Sequence, residues 1–242
     1  NADASTNNFL VTPNGDVGPK PFSPYFGGNY SVYFGGSPYL STPDTASLNF
    51  AGDFTVECFV YITGGSGARA IVHKADTNVG YEITLLSGGN ITVACASLGV
   101  TGSTVLPTNQ WVHIAWVRSG SGTNNCKLYI NGNIDGQGTN TSSTGGTVTL
   151  GIGAVARSGA AGVNPFTGYI SNVRISSSAV YTAAFSSAVP TSALTVTAST
   201  VLLACAANRF IDQTGKTITV SGTPSITDNS PFVSTDFTTG AG

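Results

Sequence analysis

Residues 110–133, QWVHIAWVRSGSGTNNCKLYINGN, read as two strands joined by a polar loop, and the rest of the chain reads as layers laid around them. In the first strand Trp111, His113, Ala115 and Val117 alternate with Val112, Ile114, Trp116 and Arg118. Side chains along a strand point to opposite faces in turn, so both faces here carry apolar groups. Such a strand is central, covered above and below. Residues 119–125, SGSGTNN, have no apolar member and two glycines, and predict a loop. The return strand puts Cys126, Leu128 and Ile130 on one face and Lys127 and Tyr129 on the other. It ends at Asn131-Gly132, a dipeptide that reaches positive φ cheaply and favours a tight hairpin.

The clearest strand elsewhere is 54–62, with Phe54, Val56, Cys58, Val60 and Ile62 on one face and Thr55, Glu57, Phe59 and Tyr61 on the other. Further strands are expected at 30–34, 70–74, 81–86, 91–96, 147–152, 169–175, 201–206 and 217–220. Polar loops are expected at 75–79 and 154–165, and short helical turns at 43–49 and 177–185. About a dozen strands, glycine-rich turns and so little helix predict an all-β, two-sheet antiparallel sandwich of jelly-roll type. Its core is expected to hold Phe54, Val56, Val60, Leu128, Ile130, Leu150 and Ile152. Residues 22–232 form the domain in this reading, between an irregular arm at 1–21 that docks or tethers and a tail at 233–242.

Only 8% of the 242 residues are charged, and the formal net charge is −2. The few cations are scattered singly, which argues against nucleic-acid binding. No apolar run approaches the roughly 20 residues of a membrane-spanning helix, and no signal peptide is visible at Asn1. The four cysteines sit one per predicted strand with no zinc-ligand spacing, and are read as free thiols acting as small core hydrophobes rather than as disulfides.

The sequence also carries a resemblance. "W-x-H-I-A-x-x-R" followed by "L-Y-I-N-G" resembles the laminin-G-like group of the concanavalin-A-like lectin/glucanase superfamily. SVYFGGSPYLSTP (31–43), GDFTVECFVYI (52–62) and FTGYISNVRIS (166–176) resemble other strands of that group, in the same order. The resemblance implies a concanavalin-A-like jelly roll. NRFID (208–212) and NSPF (229–232) further resemble phrases in laminin-G-like modules of tailed-phage virion proteins, especially of marine phages.

The superfamily includes glycoside hydrolases, which need two carboxylates flanking the scissile bond. The two glutamates, Glu57 and Glu82, are each alone in a strand, so no enzyme activity is expected. His73 and His113 are read as structural histidines. Calcium is the family's commonest cofactor, and Asp76 with Asn78 in the 74–80 segment is the candidate metal site; Asp135 is a further loop carboxylate. The position that is acidic in the family after the isoleucine is Asn172 here. Candidate glycan contacts are Asp76, Asn78, Tyr81, Asn124, Arg157 and Asn164. Trp116, Tyr129, Phe59 and Tyr61 are candidates for stacking on sugar rings, although burial is the preferred reading for both tryptophans.

The expected function is a non-enzymatic virion structural or interaction protein: an exterior decoration, knob or tail-fibre module. Its expected partners are capsid or tail proteins and cell-surface glycans, in a homo-oligomer or multicopy array. The other reading is a secreted carbohydrate-binding lectin or adhesin.

Overall fold

The computed structural model describes residues 29–96 and 98–232. The expected arm at 1–21 and tail at 233–242 lie outside the described residues. In chain order the strands are β1 (Ser31–Gly35), β2 (Tyr39–Thr42), β3 (Phe54–Ile62), β4 (Arg69–Asp76), β5 (Val79–Leu85), β6 (Asn90–Cys95), β7 (Leu98–Val105) and β8 (Trp111–Arg118). They continue as β9 (Cys126–Ile130), β10 (Asn133–Gly138), β11 (Leu150–Ile152), β12 (Thr167–Ser176), β13 (Thr200–Ala204), β14 (Thr219–Ser221) and β15 (Ser225–Thr227). A single 3-10 turn, Ala46–Leu48, is the helical element among the described residues, and it falls in the 43–49 segment expected to turn.

These strands form two antiparallel sheets. One is ordered β10-β9-β8-β3-β12-β1-β15, with β13 also paired to β12, and the other β14-β2-β11-β4-β5-β6-β7. The fold is therefore the expected all-β jelly-roll sandwich. The central place of β8, between β3 and β9, follows from its two apolar faces. Val112, Ile114 and Trp116 face the other sheet, and all seven residues expected in the core lie in one cluster with them. Burying each such aliphatic or aromatic side chain is worth about 1.5–3 kcal/mol relative to exposure.

The outer face of the eight-stranded sheet is covered too, by the irregular segment 177–199. Ala115, Val117 and Tyr129 pack there against Ala179, Tyr181 and Phe185. No helical turn forms at 177–185. Under this strap lies a buried polar cluster. The Glu57 carboxylate, fully buried, accepts from Arg174 Nε at 2.8 Å and pairs with its Nη2 at 2.7 Å. It also accepts from the Tyr181 hydroxyl at 2.8 Å and lies 3.2 Å from His113 Nε2. Burial alone would raise the Glu57 pKa, but the hydrogen bonds and charges of His113, Arg174 and Tyr181 together hold it below the ordinary carboxylate value.

Two predictions arise from the scaffold. All four cysteines are buried and unpaired, and burial pushes Cys95 up to about 11 and Cys205 to about 12. The thiolate is the reactive form, so the native protein is expected to resist alkylation. In denaturant, without reductant, four labels per chain should appear by mass spectrometry; fewer would mean disulfides. The second concerns Gly168, where φ is +143° and an added Cβ would sit 2.1 Å from the Tyr61 carbonyl oxygen. Gly168→Ala is expected to destabilise by about 1–3 kcal/mol, read by denaturant unfolding. Gly52→Ala, with nothing within 4 Å of the new Cβ, should be silent.

Candidate functional site

The β4–β5 hairpin closes at Asp76↔Val79, leaving a two-residue turn of Thr77 and Asn78. Asn78 takes φ +57° there, which a short amide side chain tolerates. Gly80 follows at φ +78°, and a Cβ on it would lie 1.7 Å from the Lys74 carbonyl oxygen, so only glycine fits. This turn fixes the register: His73 falls opposite Glu82, and Lys74 opposite Tyr81. With Tyr81 and Ile83 packed between the sheets, alternation turns His73, Ala75 and Glu82 to the outer face of the seven-stranded sheet.

The 154–165 loop folds back over that face. It runs against Gly151, where a Cβ would lie 2.3 Å from the Ala154 carbonyl oxygen. Val155 and Gly162 tie it into a hairpin, Val155 N–H donating to Val163 O and Gly162 N–H to Val155 O. Arg157 is thereby carried to the β4–β5 turn, with Nη1 3.1 Å from Asp76 Oδ1. Between loop and turn lies a cleft of about 320 Å³. Its floor is small, with Gly80, Ala94 and Ala96, and its walls are polar. His73 Nε2 and Glu82 Oε2 pair at 3.1 Å. The Asp76 and Arg157 side chains are 45% and 37% exposed, leaving donors and acceptors turned to solvent. A floor of small residues bordered by two ion pairs, His73–Glu82 and Asp76–Arg157, offers both donors and acceptors to a polar ligand.

The donors around Asp76 do not fit calcium. Calcium takes six to eight oxygens, several of them anionic. Asp76 Oδ1 already accepts from Thr77 N–H at 2.8 Å and faces the Arg157 cation. Among the described residues, no group of three or more His, Cys, Asp or Glu could hold a metal ion. Nor do the glutamates form a hydrolytic pair. Glu57 and Glu82 belong to different sheets and face outward on opposite sides of the sandwich, whereas hydrolysis needs two carboxyls within about 10 Å of each other across one bond.

The other sequence candidates scatter. Tyr81 is fully buried between the sheets, its ring 6.0 Å from that of Phe54 and 5.7 Å from that of Phe50, so it cannot meet a sugar at the rim. Trp116, Tyr129 and Phe59 are buried, and Tyr61 is half-buried beside Trp111 and Tyr169. Asn164 accepts from Ala70 N–H at the far end of β4, six residues from Asp76 and so roughly 20 Å away. Asn124 lies in the β8–β9 loop, its N–H bonded to Thr139 Oγ1. Asn78, Asn124 and Asn164 all hold φ between +53° and +57°. A left-handed turn explains each asparagine without reference to a ligand.

Two buried cations brace the end of the sandwich that carries the cleft. Lys74, fully buried directly behind it, pairs with Asp44 at 2.8 Å and donates to Asn49 Oδ1 and the Gly146 carbonyl. Arg118, 1% exposed, donates to the carbonyls of Phe50, Gly52 and Ser142. Its guanidinium lies 5.1 Å from the centre of the Phe54 ring. Loops that carry few apolar residues are held here by charge-assisted hydrogen bonds.

Sequence reading missed His73 and Glu82 as neighbours of Asp76. The signal was the turn: a two-residue loop at 77–78 forces 73 opposite 82, but a five-residue loop at 75–79 hides that register.

The chain matches the Laminin_G_3 family model, described as the concanavalin A-like lectin/glucanases superfamily, over residues 34–184. In structure it is similar to a Bacteroides ovatus protein to which carbohydrate binding is ascribed, with a TM-score of 0.62 and 18% identity over 82% of this chain. The match spans 59% of that protein. It is also similar to the heptameric SAP-like pentraxin of Limulus polyphemus, with a TM-score of 0.58 and 15% identity over 81% of this chain and 94% of the pentraxin. No curated protein matches it in sequence. The family match covers most of the two-sheet sandwich, and the chain belongs to the concanavalin A-like lectin/glucanases superfamily.

Proposed function

We propose that this chain is a non-enzymatic carbohydrate-binding module, displayed in many copies on the exterior of a tailed-phage virion and fixed there to capsid or tail proteins. The observation that carries the binding reading is the cleft between Asp76 and Arg157, where two loops on a rigid sheet bring solvent-facing donors and acceptors over a floor of small residues. The match to a superfamily of lectins and glucanases, both of which engage carbohydrate, and the carbohydrate binding ascribed to the Bacteroides ovatus protein point the same way. The two carboxylates of the cleft are each engaged, Glu82 with His73 and Asp76 with Arg157, which argues for binding without hydrolysis.

The virion reading rests on the phrases NRFID and NSPF, the low charge and the buried free thiols, which suit assembly in a reducing cytoplasm. Both phrases also have a folding role. Asp212 accepts from the N–H groups of Leu203, Thr214 and Lys216, and Phe232 packs edge-on against Phe59. A single open cleft gives about 4–6 kcal/mol, which becomes useful attachment when many copies act together.

The test is a glycan array probed with a multivalent form of the chain. Asp76→Ala and Arg157→Ala are each expected to weaken the recognised glycan about tenfold or more, the loss of roughly one charge-assisted hydrogen bond, with unfolding midpoints nearly unchanged. Turnover of any polysaccharide overturns the non-enzymatic reading. Absence of the chain from purified particles overturns the virion reading, and undiminished particle attachment after deletion of residues 1–21 removes the docking role of the arm.

A further inference from the structure

The end of the sandwich opposite the cleft holds a second cavity, of about 250 Å³, where β3 ends and β4 begins. Ile62, Leu85 and Leu106 give it apolar walls, and Ser87 and Thr108 supply hydroxyls. Its shape is set by backbone. Leu106 N–H donates to Gly89 O and Asn109 N–H to Ile62 O, so the β7–β8 connection is pinned to both sheets.

Arg69 lines this cavity with 6% of its surface exposed. Nη1 donates to Gly64 O at 2.7 Å and Nη2 to Leu86 O at 3.3 Å. A guanidinium carries five N–H donors, and Nε, buried, has no partner. The other buried cations are better served. Lys74 and Arg174 each pair with a carboxylate, and Arg118 bonds three carbonyls. No carboxylate among the described residues pairs with Arg69. A buried charge without a counter-charge is costly, and an anion brought beside it recovers part of that cost. Planar guanidinium edges match carboxylates in geometry.

We propose that this cavity binds a small carboxylate ligand with an apolar face, a uronic acid or a short aliphatic acid, its carboxylate facing the guanidinium of Arg69 and its body against Ile62, Leu85 and Leu106. The volume lies below the roughly 300–1,000 Å³ of sites for drug-sized ligands, which limits the body to about one ring. The site is separate from the Asp76–Arg157 cleft and does not depend on what that cleft binds.

The experiment titrates the full chain with glucuronate, butyrate, glucose and inorganic sulfate, followed by calorimetry or NMR. Glucuronate or butyrate is expected to bind at least tenfold more tightly than glucose, and to weaken as salt rises. Arg69→Gln should lower that affinity at least tenfold, and Asp76→Ala should leave it unchanged. Ser87→Trp, at the exposed mouth, should block binding with Arg69 intact, and it decides the question if Arg69→Gln fails to fold. Carboxylates binding no better than glucose, sulfate binding alone, or undiminished binding in the blocked variant would overturn the proposal. Loss of glycan binding at Asp76 with the Arg69 site intact, or the reverse, tells the two sites apart.

Discussion

Glu57→Ala is expected to cost about 3–5 kcal/mol, because it strands two partners in a dry layer. Arg174 and His113 are 8% and 1% exposed under the 177–199 strap, and Glu57 is their shared acceptor. For a domain of this size the loss corresponds to a fall in Tm of roughly 2–4 °C per kcal/mol. Replacing Glu57 and Arg174 together should cost less than the sum of the two single changes, since the second change removes a charge already stranded. The same carboxylate predicts an acid limit. Its folded pKa lies below its ordinary value of 4.5. Its contribution is therefore complete above that value and is lost as pH falls through the lower folded pKa. Glu57→Gln should be less stable than the natural chain at neutral pH, and the gap should close in acid. Denaturant midpoints across that range measure it; a gap constant with pH would contradict the assignment.

The other large effect is expected at Arg118→Met. The methionine can fill much of the volume but removes the charged donor from the carbonyls of Gly52 and Ser142, and leaves the Phe50 carbonyl with the Thr144 N–H alone. A hydrogen bond to a charged donor contributes about 1.5–3 kcal/mol, so losing those to Gly52 and Ser142 is expected to cost about 3 kcal/mol or more. The damage should be local before it is global. Hydrogen exchange should rise first at 50–53 and 139–146, loops that this guanidinium ties together. Lys127→Met is the control, since that ammonium reaches one exposed carbonyl, Thr182 O.

Much of the sandwich was legible because alternation in β3, β8 and β9 decides which side chains meet. Phe54, Val56, Leu128 and Ile130 could be assigned to the core from their spacing alone, and they lie there. The strap was less legible. Tyr181 and Phe185 are four residues apart, a spacing that suggests a helix, yet the two rings stack at 3.7 Å in irregular chain. What fixes them is distant in sequence: Tyr129, His113 and Glu57, on three other strands or loops. Asp76 and Arg157 were legible as polar loop residues, but their meeting was not, because the fold-back of 154–165 over Gly151 depends on a close approach that leaves no periodic trace. Tyr81 shows the limit of residue type as a guide. Its position in β5 turns it inward, whatever its chemistry suggests.

Ser31 Oγ bonds the Asn229 carbonyl at 2.5 Å, β1 pairs with β15, and Phe232 sits on Phe59. The described chain therefore enters and leaves through the eight-stranded sheet, while the Asp76–Arg157 cleft opens on the seven-stranded one. A module joined to a larger body through either end would stand with its back to that body and its cleft turned away, like a plate mounted by its rear. Splicing the module into a scaffold loop at residues 29 and 232 should leave the cleft accessible, whereas splicing at the 77–78 turn would bury it.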